Sequence, residues 1–313
     1  MNRFLNRALQ AALLPAAVGG AAAGYMLFEA QWLQMRYRRL QLEGLPPSLD
    51  GLRLLHVSDL HAGAPGPNNR TIAKFVRAAR RQEPDIVLFT GDMTDKKRDL
   101  SPYLGLLAGV EARYGKFAVL GNHDHGVRKT LLRDLARHLL GPERVPRTAF
   151  QDDDVPGTVA WNRSLLGQVG IRLLDNECAG IRVGFDDIQI CGIDDFQYGY
   201  ADIEKAASQL DQRAPLRILL SHSPNAVTQI SNGDYQLVLS GHTHGGQICI
   251  PHPTRGKVLL STSGSEYGDG FYRLGNFVLH VSRGVGTTLL PLRLLSRPEI
   301  TLLELSASRG KHS

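Results

Sequence analysis

The sequence has little cysteine: three in 313 residues, Cys178, Cys191 and Cys249, with no C-x-x-C pair and an odd count. A disulfide framework is therefore not expected, and the expectation is three unpaired, buried thiols. Apolar runs long enough to span a bilayer as a helix are few, and the hydrophobicity available for one is modest. The one candidate, Ala8–Phe28, has 21 uncharged residues, but it is rich in Ala and Gly and contains Pro15. A general basic surface is absent as well. The net charge of +6 sits in residues 1–39 and 126–147, each +4, which leaves about −2 for the rest. A nuclease with a broad phosphate-binding face would carry basic residues around its catalytic motifs, so nucleic acid is not the expected partner. With 42% apolar and 21% charged residues, the chain is neither disordered nor fibrous.

The N-terminal stretch admits three readings: an uncleaved membrane anchor, a cleaved signal peptide, or a soluble helix. Trp32 and Tyr37 followed by Arg36, Arg38 and Arg39 resemble an interfacial belt with basic anchors, which favours the anchor. The expected organisation is therefore an anchor over 1–39, a linker over 40–51 marked by Pro46-Pro47, and a catalytic domain over 52–308. The dense Arg flank and the unpaired cysteines place that domain on the cytoplasmic face of a bacterial inner membrane.

From residue 52 a repeated pattern appears. A short β-rich apolar run ends in a small residue, and a metal-capable side chain follows at once. Leu52–Val57 leads into Asp59 and His61, and Ile86–Thr90 into Gly91-Asp92. Phe117–Leu120 leads into Gly121-Asn122-His123-Asp124, Ile218–Leu220 into Ser221-His222, and Leu237–Leu239 into Gly241-His242-Thr243-His244. Such runs read as buried strands. Thr71–Arg81 has helical period and supplies a β-α-β crossover. Ligands of open α/β sheets sit beyond the carboxyl ends of strands, so five such ends converge on one site. Later strands, around Ile188–Ile193, Val258–Ser261, Asn276–Ser282 and Ile300–Leu305, are expected to form a second sheet, antiparallel or mixed.

The chemistry of that site follows from its donors. Two divalent cations a few ångströms apart can activate water and stabilise both oxygens of an in-line displacement at phosphorus. Imidazole-rich sites favour Mn, Fe or Zn over Mg. The glycines let the backbone turn sharply beside the metals.

The ordered set D-L-H, G-D-M-T-D, G-N-H-D, S-H and G-H-T-H resembles the calcineurin-like metallophosphoesterases over roughly residues 52–306. The continuation G-H-T-H-G-G-Q-I and the tail S-R-G-V-G…P-L-R-L…P-E-I are similar to a bacterial membrane-associated branch. That branch includes UDP-2,3-diacylglucosamine pyrophosphatases of lipid A synthesis and general phosphodiesterases. The resemblance implies a four-layer α/β/β/α sandwich of two mixed β-sheets flanked by helices, here with an N-terminal membrane-anchor helix. It implies that Asp59, His61 and His244 hold one metal, that Asn122, His222 and His242 hold the other, and that Asp92 bridges. Mn²⁺ is the expected metal, with Fe or Zn as alternatives. His123 would act on the leaving oxygen and Asp124 would orient it.

Other residues carry weaker signals. Asp95 reads either as a partner of the site or as an exposed turn carboxylate. His125 and Arg283 are candidate substrate contacts, with a solvated loop and a structural ion pair as their alternatives. His56 and His280 lie inside strand patterns and read as structural. Residues 126–160 form either an amphipathic lid or a surface helix. The leading function is hydrolysis of a phosphodiester or pyrophosphate in a lipid-linked substrate. The alternatives are a soluble phosphodiesterase or nuclease, and a non-catalytic binding module, which would be expected to have lost ligands.

Overall fold

The computed structural model describes residues 17–64, 66–95, 100–125, 158–254, 256–260 and 264–307. With strands numbered along the chain, one sheet has the order β1 (Gln34–Leu42), β14 (Glu299–Ala307), β2 (Arg53–Val57), β3 (Ile86–Thr90), β4 (Gly115–Val119), β5 (Ile171–Leu173). Here β2 to β5 run parallel, and β14 is antiparallel to β2. A second sheet has the order β12 (Gly270–Leu274), β13 (Phe277–Val281), β9 (Leu237–Ser240), β8 (Arg217–Leu220), β7 (Asp186–Gly192), β6 (Glu177–Val183). Its four inner strands are parallel and its edges antiparallel. Both sheets are therefore mixed. Two of the expected later strands are placed otherwise. Ile300–Leu305 belongs to the first sheet within β14, and Val258 lies in a separate ribbon of β10 (Cys249–His252) and β11 (Gly256–Leu259).

The layers follow from side-chain pattern. Strands β3, β8 and β9 are buried at every position, because both faces of their sheets are covered. Leu54, Leu88, Phe117 and Val119 of the first sheet meet Ile190, Ile218, Leu220, Leu237 and Leu239 of the second in one core. The helix Asn68–Arg80 places Ile72, Phe75, Val76 and Ala79 at the i, i+3, i+4, i+7 spacing of a single face. That face packs on the outer side of the first sheet, together with Leu165 and Leu166 of the helix Thr158–Gln168. Each fully buried Ile or Phe there contributes about 1.5–3 kcal/mol. On the outer face of the second sheet, Ala206 of the short helix Ile203–Ala207 and Ala226 join Leu219 and Val238.

The described residues do not by themselves support the expected N-terminal anchor. Residues 17–29 are helical, but no helix among the described residues is long and apolar enough to cross a membrane. Residues 8–16 of the expected span lie outside the described residues. The helix end is tied to the domain: Met26 O accepts from Arg293 N, and buried Glu29 accepts from Ser296 N. Residues 34–42, expected as basic flank and linker, form the edge strand β1, parallel to β14, with Arg36 paired to Glu299 at 3.1 Å. The 126–160 segment lies outside the described residues up to residue 157.

The expectation of unpaired cysteines is also corrected. Cys178 and Cys191 are register partners on β6 and β7, with Cα atoms 4.0 Å apart, and form a disulfide. A separation of 13 residues in sequence gives no hint of this pairing, which only the hairpin register creates. Cys249 is free and buried. The support that unpaired cysteines lent to a cytoplasmic placement is removed with them.

Candidate metal centre

At the carboxyl ends of β2, β3, β8 and β9 the chain turns back sharply. Ten non-glycine residues among those described have positive φ, and five are Asp59, His61, Asp92, His242 and His244. Left-handed backbone is costly for such residues and persists where the surroundings over-determine it, typically at functional sites. Close approach is built in as well. A Cβ on Gly241 would lie 1.9 Å from Ser58 Oγ and 2.3 Å from Asp59 Oδ2, and one on Gly121 would lie 2.4 Å from Asp92 Oδ1.

Three sets of side chains converge with their ligand atoms within 4.8 Å of one another: Asp59, His61 and His244; Asp92, His222 and His242; and His61, Asp92 and His123. In the first set, His61 Nε2 is 3.1 Å from His244 Nε2, which is 3.4 Å from Asp59 Oδ1. In the second, His242 Nδ1 is 3.0 Å from His222 Nε2, which is 3.2 Å from Asp92 Oδ2. Asp92 Oδ2 also lies 3.5 Å from His61 Nε2, so this carboxylate stands between the two sets. All these side chains are buried. Asn122 is buried beside them, and neither its Oδ1 nor its Nδ2 has a hydrogen-bond partner. Imidazole nitrogens converging on carboxylates, next to an orphaned carboxamide, fit a pair of divalent cations.

Surrounding hydrogen bonds fix these groups. His222 Nδ1 lies 2.8 Å from Thr90 O, which turns Nε2 towards Asp92. Asp59 Oδ2 accepts from Ser58 Oγ at 2.5 Å and from His242 N at 3.1 Å, and Asp92 Oδ1 accepts from His123 N at 2.9 Å. Asn68, at the start of its helix, donates to His61 O and Thr287 O and so ties the first ligand loop to the segment after β13. Burial works against charge on His222, but Asp92, by charge and hydrogen bond, with Asp59 and Asp195, lifts its pKa to about 10. Burial likewise opposes ionisation of Asp92, yet His222, His123 and His61 hold it well below the usual carboxylate range. Without metal, His222 and Asp92 thus pair as imidazolium and carboxylate.

The structure redistributes several expected roles. His123 Nδ1 is 3.0 Å from Asp95 Oδ1, and Asp95 is buried rather than an exposed turn residue. Asp124, expected to orient His123, instead accepts from Thr94 N, Thr94 Oγ1 and Gly121 N, and so shapes the turn that carries Asn122. His125 is not a solvated loop residue: its Nε2 meets Asp194 Oδ1 at 2.7 Å and its ring stacks on Tyr200. Burial opposes its charge, but the Asp194 hydrogen bond and charge raise its pKa to about 9. Arg283 is engaged by Asp269 at 2.6 Å and Glu299 at 3.6 Å, which is the ion-pair alternative.

Arg293 was not singled out from the sequence. It is fully buried, donates to the carbonyls of His244, Ser296, Arg283 and Gly286, and so clamps the segment that carries His244. It is the Arg of the P-L-R-L segment, and its carbonyl cage forms only in the folded chain.

Fold and site together define a metal-dependent hydrolase built at strand ends of a two-sheet sandwich. Residues 52–246 match the family model of the calcineurin-like phosphoesterases, and the chain belongs to that family. It is accordingly a metal-dependent phosphoester hydrolase. The uncharacterized metallophosphoesterase YkuE of Bacillus subtilis is 29% identical over 98% of this chain and 98% of its own. The UDP-2,3-diacylglucosamine pyrophosphatase LpxG of Chlamydia trachomatis is 31% identical over 82% of this chain and 84% of its own. A transmembrane protein with metallophosphoesterase domain from Danio rerio is 31% identical over 84% of this chain and 55% of its own.

Proposed function

We propose that the protein cleaves a phosphodiester or pyrophosphate bond in a lipid-linked substrate, with UDP-2,3-diacylglucosamine as the first candidate. The observation that carries the hydrolytic reading is the pair of buried ligand sets sharing Asp92, with His123 beside them. The choice of substrate is supported by the likeness to LpxG. Work at a membrane belongs to the same proposal and follows from the substrate.

In this reading Asp59, His61 and His244 hold one cation, Asn122, His222 and His242 hold a second, and Asp92 serves both. The cations, Mn²⁺ for preference, would supply Lewis acidity and offset the charge that develops on phosphoryl oxygens. The protein's own part is positional and acid–base. Asp95 fixes the tautomer of His123 through Nδ1, so proton exchange with the leaving oxygen falls to Nε2. Asp124 holds the turn that presents Asn122 and His123. Burial of the whole cluster strengthens each electrostatic interaction relative to water.

The test is release of UMP from UDP-2,3-diacylglucosamine by detergent-solubilised protein with Mn²⁺, with Asp92→Asn as control. Release that requires Asp92 supports the proposal. Cleavage of a simple aryl phosphodiester without UMP release keeps the hydrolase and discards the lipid substrate in favour of a soluble one.

A further inference from the structure

One more strand end of the second sheet carries acid, and the function above makes no use of it. After β7 the chain continues Ile193-Asp194-Asp195. Ile193 N donates to Leu220 O at 3.1 Å, so the segment leaving β7 lies beside the one leaving β8, which carries His222 two residues on. Asp194 is committed: its Oδ1 meets His125 Nε2 at 2.7 Å and accepts from Asp195 N at 2.7 Å. Asp195 is not exposed at all. Its Oδ1 accepts from Tyr198 N at 2.8 Å and closes the following turn, whereas its Oδ2 is buried without a hydrogen-bond partner. Burial pushes its pKa up to about 6, an effect that the charge of His222 opposes and those of Asp194 and Asp92 add to.

A turn accounts for one oxygen of Asp195 and leaves the other unexplained. A buried carboxylate oxygen with no partner costs free energy unless positive charge lies close by. The donor that would offset that cost is the cation expected between His222 and His242. Asp195 is not itself among the groups whose ligand atoms lie within 4.8 Å of one another, so it does not stand as a ligand.

We propose that Asp195 is a positioning carboxylate of the metal centre, whose buried negative charge raises affinity for the cation on the His222–His242 side. This rests on the metal-centre reading given above. Outer carboxylates of this kind govern metal affinity by about 10–100-fold.

The experiment uses the full chain, stripped with chelator, and follows Mn²⁺ binding by calorimetry alongside Tm with and without Mn²⁺. Asp195→Asn keeps an oxygen for Tyr198 N and removes only the charge; Asp195→Ser does the same if the first variant does not fold. The expected result is about 10–100-fold weaker binding of one Mn²⁺, with the other retained. The metal-free Tm should be equal to or above wild type, because burial works against the charge that is removed. Asp211→Asn, at an exposed carboxylate outside the ligand sets, should leave Mn²⁺ affinity unchanged. Mn²⁺ affinity in Asp195→Asn within about twofold of wild type, whatever the metal-free Tm, would overturn the proposal and leave the metal centre standing. If wild type itself bound no divalent cation, the metal-centre reading would fall and this proposal with it.

Discussion

Between the two sheets lies a buried histidine pair whose response to acid can be worked out in advance. His56 Nδ1 is 2.8 Å from His280 Nδ1, and His56 Nε2 is 2.8 Å from Thr90 Oγ1, with both imidazoles fully buried. Burial pushes the pKa of His56 down from 6.5 to about 3. His280 is lowered too, by burial first and then by His56, Arg36 and Arg38. The folded protein therefore refuses protons that the unfolded chain accepts. Stability is full above pH 6.5 and is lost as pH falls, down to about pH 3. From pH 7 to pH 5, His56 alone should remove about 2 kcal/mol, since ~1.5 pH units lie below the unfolded pKa at about 1.36 kcal/mol each. The assay is guanidinium unfolding of metal-stripped protein at the two pH values, for wild type and His56→Gln. The amide can still bond to Thr90 but cannot titrate. Wild type should lose about 2 kcal/mol more than the variant on acidification. Equal losses, within ~0.5 kcal/mol, would show that the pair is not held neutral and would refute the reasoning.

Two further predictions concern the metal centre. Asp92→Asn should lose metal and activity together, whereas His123→Ala should keep metal and lose kcat by about 10²–10⁴-fold; calorimetry beside steady-state kinetics separates them, and equal metal loss in both would count against His123 as a proton-transfer group. Gly241→Ala, whose Cβ would press on Ser58 and Asp59, should cost about 1–3 kcal/mol and weaken metal binding. Gly105→Ala, in the helix Ser101–Leu107 with nothing within 4 Å of its Cβ, should instead raise stability by about 0.5–1 kcal/mol, as read from Tm.

The strand-end motifs are legible because each follows a strand, and a strand end is a local feature. Asp195 follows the same pattern after Ile188–Ile193, a strand expected only as part of a second sheet. Its value to the site depends on β7 lying beside β8. Asp95 and Asp124 show a finer limit. Both are carboxylates within a few residues of strand ends, and sequence distance alone favours Asp124 as the neighbour of His123. The fold turns Asp124 back onto Thr94 and Gly121 and brings Asp95 across from the β3 loop.

The sequence by itself determined the two-sheet class, the order of the strand-end motifs and the donor types of the centre, because apolar periodicity and ligand chemistry are local properties. Tertiary structure decided the rest: that Asp92 stands between the two histidine sets, that Cys178 meets Cys191, that residues 34–42 complete a sheet, and that the helix end at Met26 and Glu29 is held by Arg293 and Ser296. Each of these joins residues far apart along the chain or fixed by strand register, and only packing and hydrogen-bond satisfaction in the folded chain select such partners.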